Sequence, residues 1–122
     1  MQNIVISNIS CPLAPKIIAQ KAQSFWQRFI GFMFHPPITS AEGLLIDEGE
    51  NSRVNTAIHM FFMRFNIAAI WINDSFEVVD VRLAKKWQAA ILPAAPARYI
   101  LETHVDRIHD FLPGDRISIE EI

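Results

Sequence analysis

An α+β fold with a mostly antiparallel sheet is what this sequence predicts, and three observations carry it. Short β-branched or apolar runs outnumber amphipathic helical ones, no repeated βαβ alternation appears, and two strand-like runs are joined by the polar turn formers Asn73, Asp74 and Ser75. A chain of 122 residues is read as one domain, residues 1–122. At that size a fold buries roughly two thirds of its unfolded surface, so it needs no disulfide or metal staple. Apolar residues at 51% and charged ones at 20% fit that compact class and not a disordered one.

The elements follow in order. Ile4 to Ile9 is β-branched and ends at Ser10, Cys11 and Pro12, so it opens the sheet. Lys16 to Gln20 reads as a second strand. A helix is expected from about Ser24 to Phe34, with Ser24 as N-cap, Phe25, Phe29 and the Phe32–Met33 pair on a core-facing side, and Pro36 and Pro37 as the stop. Gly43 to Ile46, GLLI, is a short buried strand, and DEGENSR after it is an acidic loop expected to be mobile. Thr56 to Phe65 reads as a strand, and Ile67 to Ile72 with Phe76 to Leu83 as a hairpin. Gln88 to Ala97, with two prolines and a run of alanines, is an extended crossing loop. Tyr99 to Glu102 is a strand, Val105 to Leu112 a short helix stopped by Pro113, and Pro113–Gly114–Asp115 a turn into the last strand, Arg116 to Ile119.

Composition excludes several functions. The net charge is -2, from 11 basic and 13 acidic residues with no run of either sign, so a basic stripe for nucleic acid is missing. One cysteine, Cys11, cannot close an intramolecular disulfide. MQNIVISNIS has neither the charged nor the long apolar region of a signal peptide, which points to the cytoplasm. The apolar runs FIGFMF and IAAIWI fall far short of the ~20 residues that span a bilayer. There is no Gly-rich phosphate loop, G-x-S-x-G elbow, H-E-x-x-H or cysteine pair, so no cofactor is implied.

Ile58 to Phe65, IHMFFMRF, is the stretch where chemistry could sit. On a strand, His59, Phe61, Met63 and Phe65 share one face, and Met60, Phe62 and Arg64 the other. Imidazole and thioethers suit a soft ion, yet His59 and Met63 on a strand lie roughly 13 Å apart. A gap-filling core or an apolar ligand pocket with one polar tip is the simpler reading, and no metal site is assigned. His104 and His109 are five apart and face differently on a helix. Asp106 with Asp110 fits a solvated face, His35 a helix end, and Asp115 a turn. Arg28 and Glu102 are single charges beside core positions, where pairing within the protein is the default.

Several of these residues together resemble the family catalogued as domain of unknown function 192, or uncharacterised protein family 0127, of bacterial and archaeal proteins. Arg28, Gly31 and Met33 match its opening Arg-x-x-Gly-Leu-Met-x-Arg motif, with Phe32 and His35 departing from it. Gly43 to Ile46 matches a following strand, and Ile58, His59, Phe61, Met63, Arg64, Phe65 and Ile67 match its Ile-His-Thr-Phe-x-Met-Arg-Phe-Pro-Ile-Asp motif. Ile100, Leu101 and Glu102 resemble Val-Leu-Glu, and Gly114–Asp115 a closing Gly-Asp, so the likeness runs from about Ser24 to Ile119. It implies a compact α+β domain with barrel-like antiparallel β structure and two short helices, here taken as bacterial, and it implies no activity. Met60, Asn66 and Ala68 stand where the motif has threonine, proline and aspartate.

The functional expectation is a non-catalytic accessory domain that binds a small molecule or a protein, with Arg28, His59, Met63, Arg64 and Glu102 as candidate binding residues. Two rivals stand beside it: an enzyme with a dispersed site around His59, and a soft-metal, copper-type binder using His59, Met60 and Met63.

Overall fold

The computed structural model describes residues 2–122. Seven strands form one sheet: β1 (Gln2–Asn8), β2 (Ile17–Ala22), β3 (Glu42–Ser52), β4 (Ile67–Ile72), β5 (Val78–Ala84), β6 (Ala97–Thr103) and β7 (Ile117–Glu121), with helix α1 (Phe25–Ile30) and a 3₁₀ helix (Val105–Asp110). Their order across the sheet is β5-β4-β6-β3-β2-β1-β7. Every neighbouring pair is antiparallel except β2 and β3. Parallel neighbours need a crossover connection, and α1 with the turn after it supplies that one.

Strand alternation divides the core. Ala69, Trp71, Leu44, Ile46 and Ile100 belong to one buried cluster with Ile58, Met60 and Met63, whereas Ala68, Ile70, Ile72, Leu45 and Leu101 belong to another with Phe111 and Ile4. β4 is buried at all six positions. A strand covered on both faces reads as a continuous apolar run, which is why IAAIWI shows no polar alternation. The expected β4–β5 hairpin is present, with Asn73 Oδ1 accepting from the N–H groups of Ser75 and Glu77, each at 3.0 Å.

Five expectations are corrected. The sheet is mostly antiparallel, as expected, but it is not closed into a barrel: among the described residues its edges β5 and β7 meet only at one corner, where Glu77 bridges Arg116 and Ile117 N–H donates to Phe76 O at 2.8 Å. The helix is shorter than Ser24 to Phe34. Ser24 does cap it, with Gln27 N–H donating to Ser24 Oγ at 3.2 Å and Ser24 N–H to Gln27 Oε1 at 3.3 Å, a capping box. It ends not at the prolines but at Gly31, whose φ of +50° leaves the helix. Nor is its aromatic face core: Phe25 and Phe29 are 65% and 48% exposed, and Phe32, beyond the helix, enters the interior instead.

DEGENSR is largely the second half of β3, which pairs again with β6 at Ser52 and Ala97 after a break in register. Thr56 to Phe65 is a folded loop, not a strand. Its backbone bonds go to residues 85–91: Ile58 N–H to Ile91 O at 3.0 Å, and Met60 N–H to Gln88 O at 2.8 Å. Ile58 and Ile91 exchange both bonds as one isolated bridge, but no ladder continues from it, and a turn at Phe61–Phe62 reverses the chain. Trp71 pins the loop to the sheet through Nε1–H donating to Thr56 O at 2.7 Å. No helix among the described residues is long and apolar enough to cross a membrane.

Candidate functional site

A cleft opens where α1 and the folded loop approach the same face of the sheet. Its floor is Ile46 and Glu48 of β3 with Ile100 and Glu102 of β6; α1 and Gly31 to Met33 form one wall, and Asn55, Ala57, His59 and Met63 the other. The space the cleft encloses is about 50 Å³, and the rest of it is open to solvent. The cleft broadens outward past Phe25 and Phe29.

Glu102 is the chemical centre of this space. Alternation on β6 sends it to the same side as Ile100, under α1, where it is 5% exposed. Gly31 packs directly against it: a Cβ there would lie 3.4 Å from Glu102 Oε1, at contact distance. Among the described residues no cation pairs with this carboxyl, and burial alone raises its pKa from 4.5 to about 7. Desolvation disfavours the charged form, so the group is poised between acid and carboxylate near neutrality.

Arg28 and Glu48 guard the mouth as an ion pair, Nε to Oε2 at 2.9 Å. Burial pushes Glu48 above its ordinary range despite Arg28, with the charge of Asp47 adding to the rise. Arg28 also donates to Gln23 O, so its charge seats α1. This polar seating explains how a six-residue helix holds position with no buried side chain.

His59 is half-buried and spoken for at both ring nitrogens. Phe61 N–H donates to Nδ1 at 3.3 Å, which leaves the proton on Nε2 to donate to Phe29 O at 3.2 Å. The imidazole thus ties the loop to α1 and presents an edge to the cleft. Met63 lines the same space, because the turn at Phe61–Phe62 folds the chain back so that it and His59 border one cleft. Met60 is fully buried in the core away from that lining, so the three soft-ion candidates do not converge there. Among the described residues no three His, Cys, Asp or Glu side chains gather as a metal set.

Of the five predicted binding residues, Arg28, His59, Met63 and Glu102 border this one cleft, and Arg64 is exposed outside it. Sequence reasoning missed Glu48, placed in an acidic loop, and Asn55, left between that loop and the next expected strand, and it took Phe29 for core. Ala68, where the family motif has aspartate, is paired with Thr103 on the opposite sheet face from Glu102. An acid at that position would not enter the cleft.

The family described as DUF192, Uncharacterized ACR, COG1430, matches residues 10–119. The chain belongs to DUF192. UPF0127 proteins of Thermococcus sibiricus and Thermococcus kodakarensis are each 38% identical to it, over 81% and 80% of this chain but 64% and 61% of theirs. One from Pyrococcus horikoshii is 42% identical over 66% of this chain and 67% of its own. This DUF192 chain therefore spans under two thirds of the first two relatives, and since these relatives are archaeal a bacterial source is not supported. Two solved structures share the fold. A Sinorhizobium meliloti protein, provisionally named a transcription regulator, superimposes with TM-score 0.83 at 20% identity over 97% of this chain and 92% of its own. A Novosphingobium aromaticivorans protein of unknown function gives 0.75 at 15% identity over 95% and 83%.

Proposed function

We propose that this DUF192 domain binds a small molecule in the cleft through Glu102. The supporting observation is a buried carboxyl without a protein partner at the base of a cleft lined by apolar side chains together with Arg28, Glu48, Asn55 and His59. Burying an ionisable group unpaired is costly, so such a group is retained where something else completes it. A ligand with a hydrogen-bond-donating head, an amine or carboxamide, fits: its head meets Glu102 and its apolar body lies along Phe29 and Met63. His59 acts as a strut of the wall, and Arg28 with Glu48 selects at the mouth. The setting we expect is cytoplasmic.

Thermal unfolding across a panel of small amines and carboxamides tests this. A binder at ~100 times its dissociation constant adds ~2.7 kcal/mol of stability, an effect that Glu102→Gln should abolish for amines. No shift across the panel at millimolar concentration, with the protein folded, overturns the reading.

A second reading is favoured by the same pKa. A carboxyl poised near 7 is suited to proton transfer, which moves the catalytic candidate from His59, whose nitrogens are both engaged, to Glu102. Turnover of an ester or amide panel that follows the titration of Glu102 and disappears in Glu102→Gln would support it. The Sinorhizobium neighbour's name supplies a third idea, action on nucleic acid, against which the balanced charge of this chain stands.

A further inference from the structure

Beside the cleft, rings from four segments touch in an unbroken series over the surface. On α1, Phe25 meets Trp26 at 5.6 Å and Trp26 meets Phe29 at 6.1 Å between centroids. Phe29 reaches His59 at 5.4 Å, and His59 stacks on Phe61 at 5.6 Å. Trp87 then lies against Phe61 at 6.4 Å and Phe62 at 5.0 Å, and Phe62 stacks on Phe34 at 5.0 Å. Trp26, Phe34 and Trp87 are 66%, 64% and 56% exposed. Water expels such rings, and one contiguous exposed series marks an interaction surface.

The backbone is bent to display them. Among the described residues four non-glycine positions have positive φ, and three carry rings of this series: Phe34 at 61°, Phe62 at 61° and Trp87 at 65°. Bulky side chains disfavour that conformation, so it persists only where the surroundings impose it. Cross-braces do so here: Phe34 N–H donates to Phe62 O at 3.0 Å and Trp87 N–H to Met60 O at 2.8 Å.

Charge says what covers the surface. Residues 23–37, 57–66 and 85–91, which carry the rings, include Arg28, Arg64, Lys85 and Lys86 but no acidic residue, although the chain has 13 and a net charge of -2. Arg28 is neutralised by Glu48; Arg64, Lys85 and Lys86 have no carboxylate within ion-pair distance among the described residues. A second copy would set these cations against each other. Single-stranded nucleic acid needs free ring faces for its bases, whereas several of these rings lie tilted or edge-on against neighbours. An anionic bilayer accepts both features, aromatic rings at the headgroup boundary and cations at the phosphates.

We infer that this face docks on an anionic membrane surface, with Trp26, Trp87 and the adjoining phenylalanines in the interfacial layer and Arg64, Lys85 and Lys86 against lipid phosphates. The protein then lies on the bilayer with its cleft opening beside the headgroups. Partitioning of the full chain onto phosphatidylcholine vesicles, with and without phosphatidylglycerol, tests it.

Binding should require phosphatidylglycerol, fall roughly tenfold or more in Lys85→Glu/Lys86→Glu, and weaken with salt. Indole emission should shift to the blue on binding, less so in Trp26→Ser and in Trp87→Ser, with Trp71 buried as a constant background. Thermal unfolding checks that each variant folds, and Trp26 has no backbone strain to complicate its replacement. No partitioning of the folded protein, or equal partitioning onto uncharged vesicles, overturns the inference. So does a ring-dependent dimer in light scattering, or binding to a single-stranded oligonucleotide, without vesicle binding.

Discussion

The β3–β6 ladder buries one carboxylate near each end, and their surroundings are opposite. Asp47, opposite Tyr99, and Glu102, opposite Leu44, are each 5% exposed. Asp47 receives Arg98 Nε at 3.0 Å on Oδ1 and Arg98 Nη2 at 3.2 Å on Oδ2, Gly49 N–H at 2.8 Å, and Lys21 Nζ at 3.8 Å. Burial pushes Asp47 upward, but those bonds and charges outweigh it and hold the group below its ordinary value. Glu102 lies deeper and has no such partners, and its pKa rises. Equal exposure therefore says nothing about role: the complete shell around Asp47 is architecture, and the empty one around Glu102 is an opening for something from outside.

Replacing each acid by its amide sharpens this contrast. The folded pKa of Glu102 lies at about 7 against 4.5, so its contribution to stability is full below pH 4.5 and is lost as pH rises through about 7. Relative to wild type, Glu102→Gln should therefore gain about 3 kcal/mol in urea unfolding between pH 4.5 and pH 8. Asp47 has the reverse sign. Its contribution is present above its ordinary value of 3.8 and lost as pH falls through the lower folded value. Asp47→Asn should accordingly cost about 2 kcal/mol at neutral pH and progressively less in acid. Amide variants that shift stability in parallel with pH would break the comparison.

Smaller effects test what keeps Glu102 dry. Gly31→Ala places a side chain at φ +50° beside Oε1 and should destabilise by about 1–2 kcal/mol in thermal unfolding. Ser24→Ala removes the capping box of α1 at about 1 kcal/mol or less. Because α1 roofs the cleft, fraying it should also admit water and bring the NMR titration of Glu102 back toward 4.5. An unchanged titration would mean that the sheet, not the helix, sets the shift.

Much of this was legible in the chain because the deciding interactions are local. Asn73 to Ser75 mark the β4–β5 turn, Ser24 with Gln27 marks the start of α1, and Pro113 to Asp115 launch the last strand. Glu102 stood out as a lone charge in an apolar strand. What was misread has a common cause. Phe25 and Phe29 have helical spacing, yet spacing cannot tell a face that packs from one that is displayed. IHMFFMRF has strand composition, but its backbone partners lie near residues 85–91, too far along the chain for sequence to announce. Glu48 went unnoticed because charge and turn formers hid the second half of β3, and Asn55 because it lies in the turn just beyond that strand.

By itself the sequence determined an α+β chain of the DUF192 family with a mostly antiparallel sheet and a capped short helix, since propensity, turn chemistry and caps act over a few residues. Only the tertiary structure decided that the sheet stays open, that Arg28, His59, Met63 and Glu102 border one cleft while Arg64 does not, and that the rings of α1 face outward. These depend on which distant segments meet and on how much water they exclude. Desolvation by a roof from elsewhere in the chain, which no property of residue 102 records, is what turns Glu102 from a strand carboxylate into a group poised near neutral pH.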